Sequence, residues 1–256
     1  MAELFASYLL ADGREVLLLE HLPRIGIDES VEEFGTFVDA LARFNATADA
    51  HLPMTSATWL IDWLSVTRTA WGYARSGRWG EPLVQSAAIL DHLWTDIDKL
   101  VLAIQQELAL LPLDACHQDP LYGNCGWRAD GTLVLIDCAY VSRFPALYDL
   151  AICLGACNQP WPSTHGREPW IARYCETYNR RSAYQLTRAM AERAVNLQLS
   201  ASVVWLDERT FHRTDQKLCE AAAAGNTENG WGDWFARTWR RIERMCKEGI
   251  TGELAG

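Results

Sequence analysis

Three residues whose types and spacing could do chemistry stand in one loop, "HQDPLYGN", where His117, Asp119 and Asn124 form an H-x-D-x-x-x-x-N pattern. Asp137 follows at the end of the apolar run "LVLID", and Asp149 comes just before another apolar run. Moving a phosphoryl group from a nucleotide to a hydroxyl needs little covalent help from a protein; it needs the acceptor aimed in line and the developing charge held by metal ions. At this spacing the Asp can accept or orient the hydroxyl proton, while the Asn oxygen turns back toward Mg²⁺. An Asp beyond a short hairpin adds the hard oxygen ligand that Mg²⁺ prefers, with nucleotide phosphates and water completing the shell. Taken singly, Asp119, Asn124 and their Pro and Gly neighbours read as turn formers and His117 as a core histidine. Their joint spacing is what points to a site.

Those residues need elements to hold them. "LFASYLLA" and "EVLLLEH", joined by Asp-Gly-Arg, predict an opening β-hairpin. Ser30 and Glu33 form a capping-box pattern, followed by Phe34, Phe37, Val38, Leu41 and Phe44 at helical spacing. "WLIDWLSVTRTAWGYA" predicts a second helix, and Leu83 to Leu110 one long amphipathic helix closed by Pro112. The loop comes next, then a hairpin of "CGW" and "TLVLID" around "RADG". Further helices are expected, among them Tyr184 to Leu206 and Trp231 to Lys247, with a break at "AAAAGNTENGWGD".

The chain has 256 residues, 49% of them hydrophobic, enough for a substantial core without disulfides or metal. A net charge of −10 argues against a nucleic-acid surface and favours a cationic or metal-bound partner. Neither a leader pattern nor a membrane-spanning run is visible, so a cytoplasmic protein that binds no membrane is expected. The eight cysteines are scattered, without CxxC, and reduced thiols are expected.

On "HQDPLYGN", "LVLIDCAY", "YDLA" at Tyr148 to Ala151, "VLLLEHLP" and "FVDALARFNA", the sequence resembles the aminoglycoside phosphotransferase and choline kinase family of protein-kinase-like enzymes. The resemblance implies an α+β, protein-kinase-like fold: a remnant N-terminal β-hairpin and hinge over residues 1–24, and a mostly helical C-terminal lobe over 25–256. It implies Asp119 as catalytic base, Asn124 and Asp137 as Mg²⁺ ligands, and His117 and Asp149 as braces of the loop. The backbone of Glu20, His21 and Leu22 would contact the adenine. ATP or GTP would be the phosphoryl donor, and the acceptor a hydroxyl of an amino-sugar, choline-like or other small metabolite, cationic if the acidic balance reflects the pocket.

Against that family the chain starts near the fourth strand. The strands that would carry a phosphate-covering loop and a phosphate-gripping Lys are missing; the lysines are Lys99, Lys217 and Lys247, and only Arg14 is cationic before the hinge. A truncated reading frame, strands borrowed from another chain, or a binding module that keeps the old cleft would each account for this. An open N-terminal sheet edge makes a homodimer one expectation. The contrasting function is a non-catalytic, pseudokinase-like binding protein; a hydrolase using His117 and Asp119 ranks last, for want of a nucleophile on a tight turn. Within the motif, Gln118 stands where the family usually has Gly, and so does Phe144-Pro145. Trp231, Trp234 and Trp239, and at lower weight Trp161, Trp170, Asp207 and Glu208, are candidates for an acceptor pocket, although aromatics at helical spacing are more often core. "GNTENGWGD" follows a helix and carries two acids, so it reads as an interhelical loop and not as a replacement phosphate loop.

Overall fold

The computed structural model describes residues 4–9, 15–28, 30–47, 51–156, 166–201, 208–225 and 230–248. The chain condenses into two compact units, one of residues 1–55 and 112–195, the other of residues 56–111 and 196–256.

The first unit opens on the antiparallel pair β1 (Leu4–Leu9) and β2 (Glu15–Leu19). The Asp-Gly-Arg turn between them lies outside the described residues. The short strand β3 (Arg24–Ile25) leaves this pair to join another sheet, ordered β3-β5-β6, with β5 (Cys125–Trp127) and β6 (Leu133–Leu135) forming the expected hairpin. Gly131 sits at φ 81 in its turn, a conformation open to Gly because it has no Cβ. Helix α1 (Val31–Asn45) starts at Ser30, whose Oγ accepts the Glu33 N–H at 3.2 Å. The reciprocal half of the capping box is absent. The Ser30 N–H donates instead to Asp28 Oδ1 at 2.8 Å, and the Glu33 carboxylate accepts the Asp28 N–H at 2.8 Å and pairs with Arg24. Phe34, Phe37, Val38 and Leu41 are buried and Phe44 partly so, giving α1 the predicted core stripe.

Strand β4 (Leu113–Cys116) pairs antiparallel with β7 (Ser142–Pro145) and delivers the chain into the His117 loop. The short helix α5 (Tyr148–Ala151) continues as a π-helical turn over Ile152–Ala156. Helix α6 (Glu168–Asn179) packs along α1, with Trp170 edge-on to Phe34 at 4.8 Å. Trp170 is therefore core, as aromatic spacing on a helix usually implies.

The second unit is helical: α2 (Trp59–Arg75), α3 (Glu81–Ala87), α4 (Trp94–Leu108), α8 (Glu208–Ala223) and α9 (Gly230–Glu248). The boundary between the units falls inside α7 (Arg188–Ala201), which starts later than predicted. The expected single helix from Leu83 to Leu110 is two helices, joined by a 3₁₀ turn at Ala88–Leu90 and a turn to Leu93. Leu83, Ala87, Leu90, Leu93, Ile97, Val101 and Ile104 are all buried, so the apolar stripe runs through the break. Leu90 and Leu93 are three residues apart, a spacing that suits a 3₁₀ turn as well as an α-helix, so periodicity hides the change. Trp79 stacks on Phe235 at 5.1 Å, and Phe235 lies 5.2 Å from Trp239. Trp239 is fully buried there. Trp234 meets Phe235 edge-on at 5.0 Å. Trp161, Asp207 and the side chains of Glu208 and Trp231 lie outside the described residues, as does part of the "GNTENGWGD" segment. The seven cysteines among the described residues are free. No helix among the described residues is long and apolar enough to cross a membrane.

Candidate active site

The loop begins where β4 ends and is fastened from beneath. Asp149, wholly buried on α5, accepts the backbone N–H of His117 at 2.7 Å and of Gln118 at 2.9 Å. Its Oδ2 also accepts from Asn45 Nδ2 at 2.7 Å. Burial pushes the Asp149 carboxyl pKa up, and the donors from Asn45, His117 and Gln118 oppose that push.

His117 turns its ring into the interior, where Nε2 donates to the Ile136 carbonyl at 2.7 Å. That bond requires the proton on Nε2, and Nδ1 has no hydrogen-bond partner. The Ile136 N–H in turn donates to the Asn124 carbonyl at 3.0 Å. His117 and Asn124 thus hold both ends of Ile136, the residue immediately before Asp137.

Asp119 is half-buried, and its carboxylate accepts from Asn124 Nδ2 at 3.1 Å, while its carbonyl accepts from the same nitrogen at 2.9 Å. The carboxamide nitrogen being engaged, the Asn124 oxygen is the end left for another ligand. Asp137 lies two residues past the end of β6, at φ 57, with an exposed side chain. Gln118 has φ 66, so Gln118 and Asp137 both adopt left-handed backbone. For a residue with a Cβ that conformation costs on the order of 1–2 kcal/mol and persists only where surrounding contacts enforce it. Asp149 and Ser142 do so for Gln118, the first through the backbone N–H and the second through the side-chain amide. The positive φ also explains the glycine usual at that position of the resembling family.

Glu20, His21 and Leu22 follow β2, with His21 exposed and the other two half-buried. The Leu22 side chain lies against Gly126 of β5, where a Cβ would come within 2.6 Å of Leu22 Cδ1 and 3.1 Å of the Arg24 carbonyl. Arg128 grips the Glu20 carboxylate with two bonds of 2.7 and 2.9 Å. Residues 20–22 are therefore fixed to the same hairpin that leads to Asp137.

A divalent ion is implied by the resemblance, and the donors can be tested for fit. Asn124 Oδ1 and the Asp137 carboxylate are hard oxygens, matching Mg²⁺, which commonly takes one or two protein oxygens and completes its shell with phosphates and water. Among the described residues, no group of three or more His, Cys, Asp and Glu is placed to hold a metal alone. The set therefore suits a nucleotide-bound ion and not a zinc-like structural centre.

Sequence reasoning missed the deeper supports. Asn45, fully buried, bridges the Ala115 carbonyl at 2.7 Å and Asp149, and accepts the Tyr174 hydroxyl at 2.8 Å. Asp114 accepts the Tyr178 hydroxyl at 2.9 Å, and its other oxygen has no partner. Burial pushes the Asp114 pKa up to about 7, aided by the nearby Asp149 charge and opposed by Tyr178. The available signal was Asn45 itself, a polar residue four past Leu41 on the apolar stripe of α1.

A loop fastened through its backbone to a buried carboxylate, and an oxygen-bearing hairpin beyond it, define a protein-kinase-like fold of the phosphotransferase kind. Residues 3–194 match the phosphotransferase enzyme family, and the chain belongs to that family. Its fold is similar to the crystal structure of an aminoglycoside phosphotransferase from Alicyclobacillus acidocaldarius subsp. acidocaldarius DSM 446, with a TM-score of 0.53 and 13% identity. That likeness covers 95% of this chain and 74% of the other. A search of curated protein sequences found no match.

Proposed function

We propose that the protein transfers the γ-phosphoryl group of ATP or GTP to a hydroxyl of a small, cationic acceptor such as an aminoglycoside or a choline-like metabolite. The observation that carries this reading is the Asn124 carboxamide, whose nitrogen secures the Asp119 carboxylate and leaves its oxygen for a ligand. Asp119 accepts the acceptor's hydroxyl proton as the oxygen attacks, and the Asn124 contact orients that carboxylate. Asn124 and Asp137 would hold Mg²⁺, which supplies charge neutralisation and alignment for the phosphates when bound. His117 and Asp149 keep the loop in place, and the Glu20 to Leu22 backbone receives the base. Residues 1–24 then belong to the nucleotide-covering lobe and 25–256 to the acceptor and metal lobe, in the cytoplasm. The two-stranded β1–β2 sheet leaves edges on which a second copy would pair.

The cationic acceptor is supported by the net charge of −10. A non-catalytic, pseudokinase-like binding protein is the second reading. Calorimetric titration with ATP and GTP, with and without Mg²⁺, beside turnover assays of Asp119→Ala on aminoglycoside and choline acceptors, separates the two. Metal-dependent nucleotide binding in both proteins, with turnover reduced at least about 100-fold in the variant, is expected. Binding without turnover in either protein, or no nucleotide binding at all, supports the second reading.

A further inference from the structure

Asn124 holds Asp119 from the downstream side. On the upstream side stands Gln118, at φ 66 although it carries a Cβ. Gly would adopt that backbone freely and Asn more readily than Gln, so the strain is one that a different residue would avoid. Strained residues gather at functional sites, where neighbouring contacts hold a geometry that the chain alone would not keep.

The contacts at Gln118 come from both ends of the residue. Its backbone N–H donates to Asp149 Oδ1 at 2.9 Å, and its side-chain Nε2 donates to Ser142 Oγ. An amide nitrogen only donates, so the Ser142 hydroxyl oxygen is the acceptor there. The same hydroxyl shares a bond of 3.0 Å with Thr55 Oγ1. Ser142 is buried, and the β4–β7 register sets it opposite Cys116, the last residue of β4. Strand pairing thus brings the hydroxyl to the start of the loop. Thr55 is fixed in turn: its N–H donates to the Arg143 carbonyl at 3.1 Å, and the Arg143 N–H donates to the Pro53 carbonyl at 2.8 Å. The segment 53–55 therefore lies along β7 and backs the Ser142 hydroxyl.

These tethers act on the torsions that aim the next residue. With its N–H and its side chain both bound, Gln118 is anchored on two sides of its Cα, and the remaining bond carries the peptide of Asp119. A residue with a Cβ has a small left-handed well, whereas Gly samples a broad one, so an anchored Gln restricts the direction in which Asp119 leaves. A reacting group keeps its geometry only when the residues around it are themselves locked by packing and hydrogen bonds.

We infer that Gln118, Ser142 and Thr55 form a clamp that positions the Asp119 carboxylate. They are positioning residues, acting through the backbone and not on a substrate. The inference rests on the phosphotransfer reading for the role of Asp119, and deepens it with side chains that the H-x-D-x-x-x-x-N pattern leaves unspecified.

Hydrogen exchange and steady-state kinetics of the full chain with Ser142→Ala, Gln118→Asn and Gln118→Gly test the clamp. Ser142→Ala removes the anchor and leaves the loop sequence intact, while Asn accepts left-handed backbone but is one methylene shorter than Gln. In Ser142→Ala the backbone amides of residues 118–124 should exchange at least about tenfold faster, with those of α1 unchanged. Each variant should lower kcat at least about tenfold with both KM values within about twofold of the parent. The melting temperature of Gln118→Gly should not fall, which separates lost positioning from lost folding. Exchange over 118–124 within about twofold of the parent in Ser142→Ala would overturn the clamp. So would a kcat within about twofold in Gln118→Asn, or a KM that rises while kcat holds, which would make these residues part of substrate binding instead. A parent chain without turnover would overturn the phosphotransfer reading and not the clamp, because exchange is read without substrate.

Discussion

The two units are stabilised by different chemistry. The first buries ionisable and amide groups together: Asp114, Asp149, His117 and Asn45 are each at most 7% exposed. The second relies on rings, with Trp79, Phe211, Phe235 and Trp239 packed at centroid distances of 5.1 to 6.3 Å. Its Asp215 lies nearer the surface, paired twice to Arg78 at 2.8 Å and bonded by the Trp79 indole at 2.8 Å. Aromatic packing is tolerant of small shifts and favours no single backbone position. Buried polar groups require specific partners, because each one left unpaired costs about 1–3 kcal/mol. That intolerance suits a loop whose Asp119 carboxylate is held in one place by Asn124.

The largest effect should come from removing the centre of each arrangement. Asp149→Ala leaves two backbone N–H groups and one N–H of the Asn45 amide without their acceptor, and should cost about 3–5 kcal/mol in urea denaturation, with loss of phosphoryl transfer. Trp239→Ala in the second unit should cost a similar 3–5 kcal/mol, but through a cavity. If Asp149→Ala costs under about 1 kcal/mol, the polar network is not what fastens the loop.

The response to pH should divide the units next. The Asp114 pKa is raised to about 7, above the value near 4 expected unfolded, so the folded state binds the extra proton. Its contribution to stability is present below about pH 4 and is lost as pH rises to about 7. Asp114→Asn should remove that slope and be more stable than the parent at pH 8 by about 2–3 kcal/mol. Asp215 has the opposite sign: hydrogen bonds from Arg78 lower its pKa to about 2, so its contribution is present above about pH 4 and lost on acidification toward pH 2. Denaturation curves from pH 2 to 8 for Asp114→Asn and Asp215→Asn check both signs.

Smaller effects test the loop's conformation. Gln118→Gly relieves a left-handed backbone but loses the Ser142 contact and gains unfolded-state entropy, so a net stabilisation of about 0.5 kcal/mol is expected from thermal unfolding. Destabilisation by more than about 1 kcal/mol would mean that the side chain matters more than the backbone strain. Arg128→Ala breaks a partly exposed pair with Glu20 and should cost under about 1 kcal/mol, while raising the KM for nucleotide by loosening the hinge.

Local signals were legible where one short segment contains the whole cause. Ser30 caps α1, "RADG" turns β5 into β6, and the apolar stripe of α1 buries as its spacing predicts. The break between α3 and α4 was not legible, because leucines three apart satisfy two kinds of helix. Spacing also brought out His117, Asp119, Asn124, Asp137 and Asp149 together, since the loop supplies three of them and the following hairpin and helix supply the rest.

What the sequence determined by itself is the chemistry available: oxygen donors at Asn124 and Asp137, a carboxylate at Asp119, and the family to which they belong. Only the tertiary structure decided what holds them, namely that Asn45, 104 residues from Asp149, shares its carboxylate with the loop, and that Arg128 ties down Glu20 across 108 residues. Hydrogen bonds act over about 3 Å regardless of separation along the chain, so partners brought together by packing leave no mark in local spacing.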